Sequence, residues 1–177
     1  MSALRLINET SASSVSSVSL TDVFSSDFDI YQISIVDVGV ASGSGWVNMK
    51  LINSSGSTIS SNYDWADLAL LSYANFTEHR ATNSSVLDQI IHLDSTIDVG
   101  SGAEMWVFNP NNSSSYTFML NQSSGVGYSA GALNINAKMI GVHKSTETIS
   151  GFAIFPDDTT TFTDIAIRTY GLRVDNG

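Results

Sequence analysis

An all-β fold, an antiparallel β-sandwich with at most one or two short helices, follows from three features of the sequence. Apolar and polar residues alternate with a period of two in segment after segment. Only 14% of residues are charged, and polarity comes instead from thirty serines with many Asn, Thr and Gly. Such side chains suit turns and solvated strand faces and compete with helical hydrogen bonds. Turn clusters such as "VASGSG", "INSSGSTISSN", "NPNNSSS" and "FPDDTTT" separate the segments at short intervals. The length fits one domain, residues 1–177, with a sizeable core.

Taken in order, "MSALRLINET" is expected to add a strand to its own sheet or to a neighbouring subunit, with residues 1–12 as an arm. "SSVSSVSL" reads as a Ser-rich edge strand. "DIYQISIVDV" from Asp29, "EMWVFNP" from Glu104 and "ISGFAIFP" from Ile149 are apolar on both faces, as in strands between a core and a second covered surface. In "WVNMKLI", Val47, Met49 and Leu51 share one face, with Asn48 and Lys50 on the other. "YDWADLALLSYA", Tyr63 to Ala74, predicts a helix of two or three turns with Trp65, Leu68, Ala69 and Ser72 on one side. "SSVLDQIIHL" fits either state and is assigned as a strand. "SYTFMLNQ" puts Tyr116, Phe118 and Leu120 together, and "ALNINAKMIGV" sends Leu133, Ile135, Ala137 and Met139 inward.

The last strand, "FTDIAIRTYGLRV", changes phase: Ile165 and Ile167 share one parity, Tyr170, Leu172 and Val174 the other. A β-bulge near Arg168 and Thr169 would return both halves to one core. Arg168 and Arg173 would then lie outside and pair with some of the seventeen carboxylates.

The formal charge of −10, with the seven basic residues dispersed, excludes the clustered cations that nucleic acid requires. An acidic surface is repelled by anionic lipid, and no apolar stretch approaches the roughly 20 residues of a membrane helix. Neither membrane nor nucleic acid is an expected partner. There is no cysteine, so burial alone must hold the fold. "MSALRLINETSAS" lacks the basic and apolar regions of a secretory signal, so synthesis in a cytoplasm is expected. The Asn-x-Ser/Thr triplets headed by Asn8, Asn53, Asn75, Asn83, Asn112 and Asn121 are the chance product of this composition.

No chemical constellation is legible. His79, His92 and His143 are 13 and 51 residues apart, without metal-ligand spacing. The carboxylate pairs Asp27/Asp29, Asp64/Asp67 and Asp157/Asp158 match neither a calcium loop nor a glycosidase strand, and the first and last of them read as turn caps. No G-x-S-x-G elbow or phosphate-binding loop occurs. The chain is therefore expected not to be an enzyme, with no catalytic, cofactor-binding or metal residues. The aromatics Tyr63, Trp65, Tyr73 and Tyr128, read as loop residues, have the flat faces on which sugars stack.

Three stretches, "FDIYQISI" (Phe28 to Ile35), "SSNYDW" (Ser60 to Trp65) and "FTDIAIRTYGLR" (Phe162 to Arg173), resemble in order and composition the small virion proteins of tailed bacteriophages, especially those of marine bacteria. The resemblance implies a jelly-roll-like sandwich serving as a capsid decoration, cement or head-fibre protein. It implies docking on major capsid, tail or portal proteins, self-association into a homo-oligomer, and location in the virion after synthesis in the host cytoplasm. Short length and the lack of a fibrous repeat favour capsid decoration over a tail fibre. The alternative is a tail appendage or receptor-binding module that recognises host surface glycans through Tyr63, Trp65 or Tyr128.

Overall fold

The computed structural model describes residues 3–72, 76–95, 100–127, 133–157 and 160–173. These residues form twelve strands and no helix: β1 (Ala3–Val15), β2 (Val18–Leu20), β3 (Ile30–Val38), β4 (Ser44–Asn53), β5 (Tyr63–Leu71), β6 (Thr77–Ser84), β7 (Leu87–Asp94), β8 (Ser101–Phe108), β9 (Thr117–Gly127), β10 (Leu133–His143), β11 (Ile149–Pro156) and β12 (Phe162–Arg173). A large sheet of eight strands has the order β1-β12-β3-β8-β9-β10-β5-β6, and a small sheet of four the order β2-β11-β4-β7. Every pairing is antiparallel. The two sheets pack face to face as a β-sandwich.

The connections explain the order. From β2 to β5 each strand crosses to the opposite sheet, β5–β6 is a hairpin, and β7 crosses back. The β8-β9-β10 meander then occupies one place between β3 and β5, while β11 enters between β2 and β4. With the meander counted as a single strand, this is the jelly-roll arrangement. The pair β1–β12 extends the large sheet beyond β3, so the N-terminal strand pairs within its own chain.

The core lies between the sheets. Tyr31, Ile33 and Ile35 of β3, Met105 and Val107 of β8, and Phe162, Ile165 and Ile167 of β12 are buried from the large sheet. Val47, Met49 and Leu51, then Leu87 and Ile91, then Phe152 and Ile154 are buried from the small one. Within β10, Ile135, Ala137 and Met139 point inward as their parity predicts. Phe24 closes the end near β2, edge-on to Tyr31 with ring centroids 4.7 Å apart. The Tyr31 hydroxyl accepts from the Ser25 backbone N–H at 2.7 Å and donates to the Ser25 carbonyl at 2.9 Å, which ties down the β2–β3 connection.

Two local expectations are corrected. The segment predicted as a helix is β5, a strand in which Tyr63, Trp65, Asp67 and Ala69 are buried on alternate positions. Its helical spacing is real, but pairing with β10 and β6 overrides a marginal local preference. In β12 there is no slip at Arg168–Thr169: Ile165, Ile167, Thr169 and Gly171 face inward in unbroken phase. The irregularity is on the neighbouring strand, where the β1 register shifts between Leu6 and Asn8, opposite Tyr170 and Thr169. Gly171 is inward because Phe28 lies on it; an added Cβ would meet the ring at 2.5 Å.

Candidate functional site

The second face of the large sheet is the most distinctive surface of the molecule. Its outward side chains form rows that cross the sheet, with the β1 register shift falling between the second and third rows. One row runs Leu4, Leu172, Ile30, Phe108, Phe118, Val142, Asp64. The next runs Leu6, Tyr170, Gln32, Trp106, Leu120, Ile140, Ala66, Arg80. Leu6 is 49% exposed, Phe118 47%, Leu120 47% and Ile140 61%. These are core-type residues, and no described element covers them. Apolar members of both rows extend from β1 to β10, six strands about 4.8 Å apart spanning roughly 24 Å, and two rows cover roughly 14 Å along the strands, so the band, interrupted by Gln32, measures roughly 340 Å². That is within the range for the largest patch of an ordinary monomer.

A polar row follows: Glu9, Arg168, Ser34, Glu104, Gln122, Lys138, Leu68, Glu78. Arg168 Nε donates to Glu9 Oε1 at 2.7 Å, and Gln32 Nε2 donates to Glu104 Oε2. At the other margin Lys144 Nζ lies 2.9 Å from Asp64 Oδ2. That hydrogen bond, with the Asn83 backbone N–H, holds the Asp64 carboxyl below its usual range. A groove of about 1030 Å³ runs across the rows, lined by Ser34, Glu104, Trp106, Leu120, Lys138 and Ile140 among others. In these rows Glu9, Asp64, Glu78 and Glu104 stand against Arg80, Lys138 and Arg168, and Lys144 at the margin pairs with Asp64. This part of the face is close to neutral, so most of the formal charge of −10 is carried elsewhere.

A smaller cavity of about 370 Å³ opens between the sheets, where Trp46, His79, His92 and Asp157 meet. His79 Nδ1 is 3.1 Å from Oδ1 of the buried Asp67. Trp46 packs edge-on against His92, ring centroids 3.8 Å apart, and lies 6.0 Å from His79. Burial, then the nearby His79, lowers the His92 pKa from 6.5 to about 3, so this imidazole is neutral. Burial raises Asp67 and Asp88, an effect that His79 partly offsets at Asp67. Folding thus joins two histidines that sequence spacing kept apart. Among the described residues no group of three or more His, Cys, Asp or Glu is placed to hold a metal ion.

The other residues singled out by sequence are dispersed. Tyr63 is buried, its hydroxyl accepting from the Leu51 N–H at 2.9 Å, and burial raises its pKa. Trp65 is 7% exposed and lies in β5, so neither ring is a loop platform for sugars. Tyr73, Tyr128 and Asp158, like the side chains of Leu133 and Arg173, lie outside the described residues. Buried His143 pairs with the partly exposed Glu147 at 3.0 Å. Asp27 and Asp29 are exposed, Asp64 and Asp67 point to opposite faces of β5, and Asp157 accepts from the Trp46 N–H at 3.0 Å, as a backbone cap. The second covered surface expected for the strands apolar on both faces corresponds to this outer face at β3 and β8, through Ile30, Trp106 and Phe108, whereas the outward turn of Phe118 and Leu120 of β9 was not foreseen.

Comparison of the chain with protein-family models and with curated proteins finds no match.

Proposed function

We propose that this chain is a non-enzymatic structural protein of a bacteriophage particle, a capsid decoration or head-fibre component, which works by docking. The observation that carries this reading is the outer face of the large sheet. Large apolar side chains stay exposed there on regular, well-paired strands, an arrangement that only contact with another surface turns to advantage. The jelly-roll sandwich suits the role because its rigid sheet presents these rows without a folding step on binding. The resemblance of Phe28–Ile35, Ser60–Trp65 and Phe162–Arg173 to small phage virion proteins supplies the particle.

The test is quantitative mass spectrometry of purified particles. Hundreds of copies per particle would fit decoration, about a dozen or fewer a portal, tail or vertex appendage, and absence from particles overturns the reading. Trp106 favours a second reading, since it lies in the groove beside Glu104, Gln122 and Lys138 as a stacking platform beside polar groups. In that case the chain is a receptor-binding module for host glycans. Saturable oligosaccharide binding, lost in Trp106→Ala, would select it.

A further inference from the structure

We propose that the outer face of the large sheet is covered by the same face of a second copy of this chain, in a twofold dimer whose axis runs along β9. This rests on the docking reading above and names the partner. Three observations lead to it.

The first is charge. A nearly neutral face on a chain of net charge −10 lets two copies meet without strong repulsion. A basic partner would instead be drawn to the acidic remainder.

The second is the order of residues in each row. A twofold axis along β9 leaves positions along the strand unchanged and exchanges strands equally distant on either side. It sets β8 over β10 of the second copy. Glu104 then faces Lys138 of the second copy and Trp106 faces its Ile140, each contact occurring twice. Phe118, Leu120 and Gln122 of β9 meet their own counterparts on the axis. Farther out, Arg168 on one flank comes toward Glu78 on the other. Like residues meet only where they are apolar or amide, and opposite charges meet beside them. A stacking angle of about 30° between twisted sheets displaces the flanks more than the centre, so the pairs beside β9 decide the geometry.

The third is size. With the axis on β9, β1 has no strand opposite it, so the three rows overlap over seven strands, roughly 29 by 20 Å, or nearly 600 Å² per copy and roughly 1,200 Å² for two. That is at the lower end of the range of specific, stable interfaces.

Sedimentation velocity on the full chain tests this. The expected species has twice the 18.9 kDa chain mass at concentrations of about 100 µM and below. Leu120→Arg places two cations on the axis and yields monomer with an unchanged circular dichroism spectrum. Glu104→Lys alone and Lys138→Glu alone each set like charges opposite one another twice and weaken the dimer by about tenfold or more. Mixing these two variants restores wild-type affinity, because in the mixed dimer each altered residue faces an opposite charge. A monomeric wild type, a dimer that survives Leu120→Arg, or a mixture without rescue overturns the proposal. So does a monomer that binds oligosaccharide through Trp106. A dimer in solution that is absent from particles leaves this proposal standing and removes the virion reading; a monomer found in particles does the reverse.

Discussion

The two faces of the large sheet are built from the same strands and differ in what meets them. On β3, the inward Tyr31, Ile33 and Ile35 are fully buried against the small sheet, while Ile30, Gln32, Ser34 and Val36 look outward. On β9 the usual division is inverted. The inward positions are Thr117, Met119, Asn121 and Ser123, all buried, and the outward ones are Phe118 and Leu120. Apart from Met119, the inward side chains are small or polar because β7 approaches closely: Asn121 Nδ2 donates to the Ile90 carbonyl at 2.9 Å, and a Cβ on Gly125 would meet the His92 carbonyl at 2.4 Å. An apolar side chain thus identifies a face that seeks a contact, without identifying the contact as the core.

The largest effects should separate the two faces directly. Phe162→Ala, on the inner face, empties a fully enclosed site and is expected to cost about 3–5 kcal/mol in chemical denaturation. Phe118→Ala, on the outer face of the same sheet, should cost less than about 1 kcal/mol of monomer stability. Similar losses at the two positions would break the distinction.

Next comes the cavity between the sheets. His92 is faced by His79 and Trp46, with Asp67, Asp88 and Asp157 around them. Its folded pKa lies below its unfolded value, so its contribution is present above the ordinary pKa of 6.5 and is lost as pH falls toward about 3. At about 1.4 kcal/mol per unit, the loss is on the order of 3–5 kcal/mol. Asp67 and Asp88 act in the opposite sense, since protonation on acidification relieves their burial. Unfolding free energies measured across this window should fall with pH in the wild type and flatten in His92→Phe. An equally steep fall in the variant would assign the dependence to other groups.

A third prediction concerns a glycine on the inner face. Gly171→Ala sets a methyl group against the Phe28 ring, and such overpacking is expected to cost about 1–3 kcal/mol. The double variant with Phe28→Leu should recover part of it, as seen in melting temperature. No recovery would mean that the penalty arises in the backbone rather than at the ring.

These contrasts indicate what the sequence makes legible. Alternation sorts residues onto shared faces, and it does so correctly for Val47, Met49 and Leu51 and for Ile135, Ala137 and Met139. Orientation is set by neighbours distant in sequence, so the outward turn of Phe118 and Leu120 has no local signature. The same holds for β5, where helical spacing around Trp65 and Leu68 gives way to pairing with β10 and β6. The phase change after Ile167 was legible, but its meaning was not. Thr169 and Gly171 fill the inward sites, and the extra residue is in β1, which only the register reveals. His79 and His92 meet through strands of different sheets, a juxtaposition that spacing along the chain does not encode.

The smallest expected effect tests the polar row. Arg168 and Glu9 are linked across β12 and β1 at 2.7 Å, but their side chains are 42% and 51% exposed. Water screens such a pair, and ordering two long side chains offsets much of the attraction, so a double-mutant cycle should return about 0.2–1 kcal/mol of coupling in the monomer. The coupling should shrink as salt is raised. If the face is covered as proposed, Arg168→Ala acts in a second way: it removes a cation that approaches Glu78 of the other copy, where water is partly excluded. Association measured by sedimentation should then weaken more than folding measured by denaturation. Equal small effects on both would place Arg168 outside any interface, and a coupling well above 1 kcal/mol in the monomer would mean that this margin of the sheet is less solvated than its exposure implies.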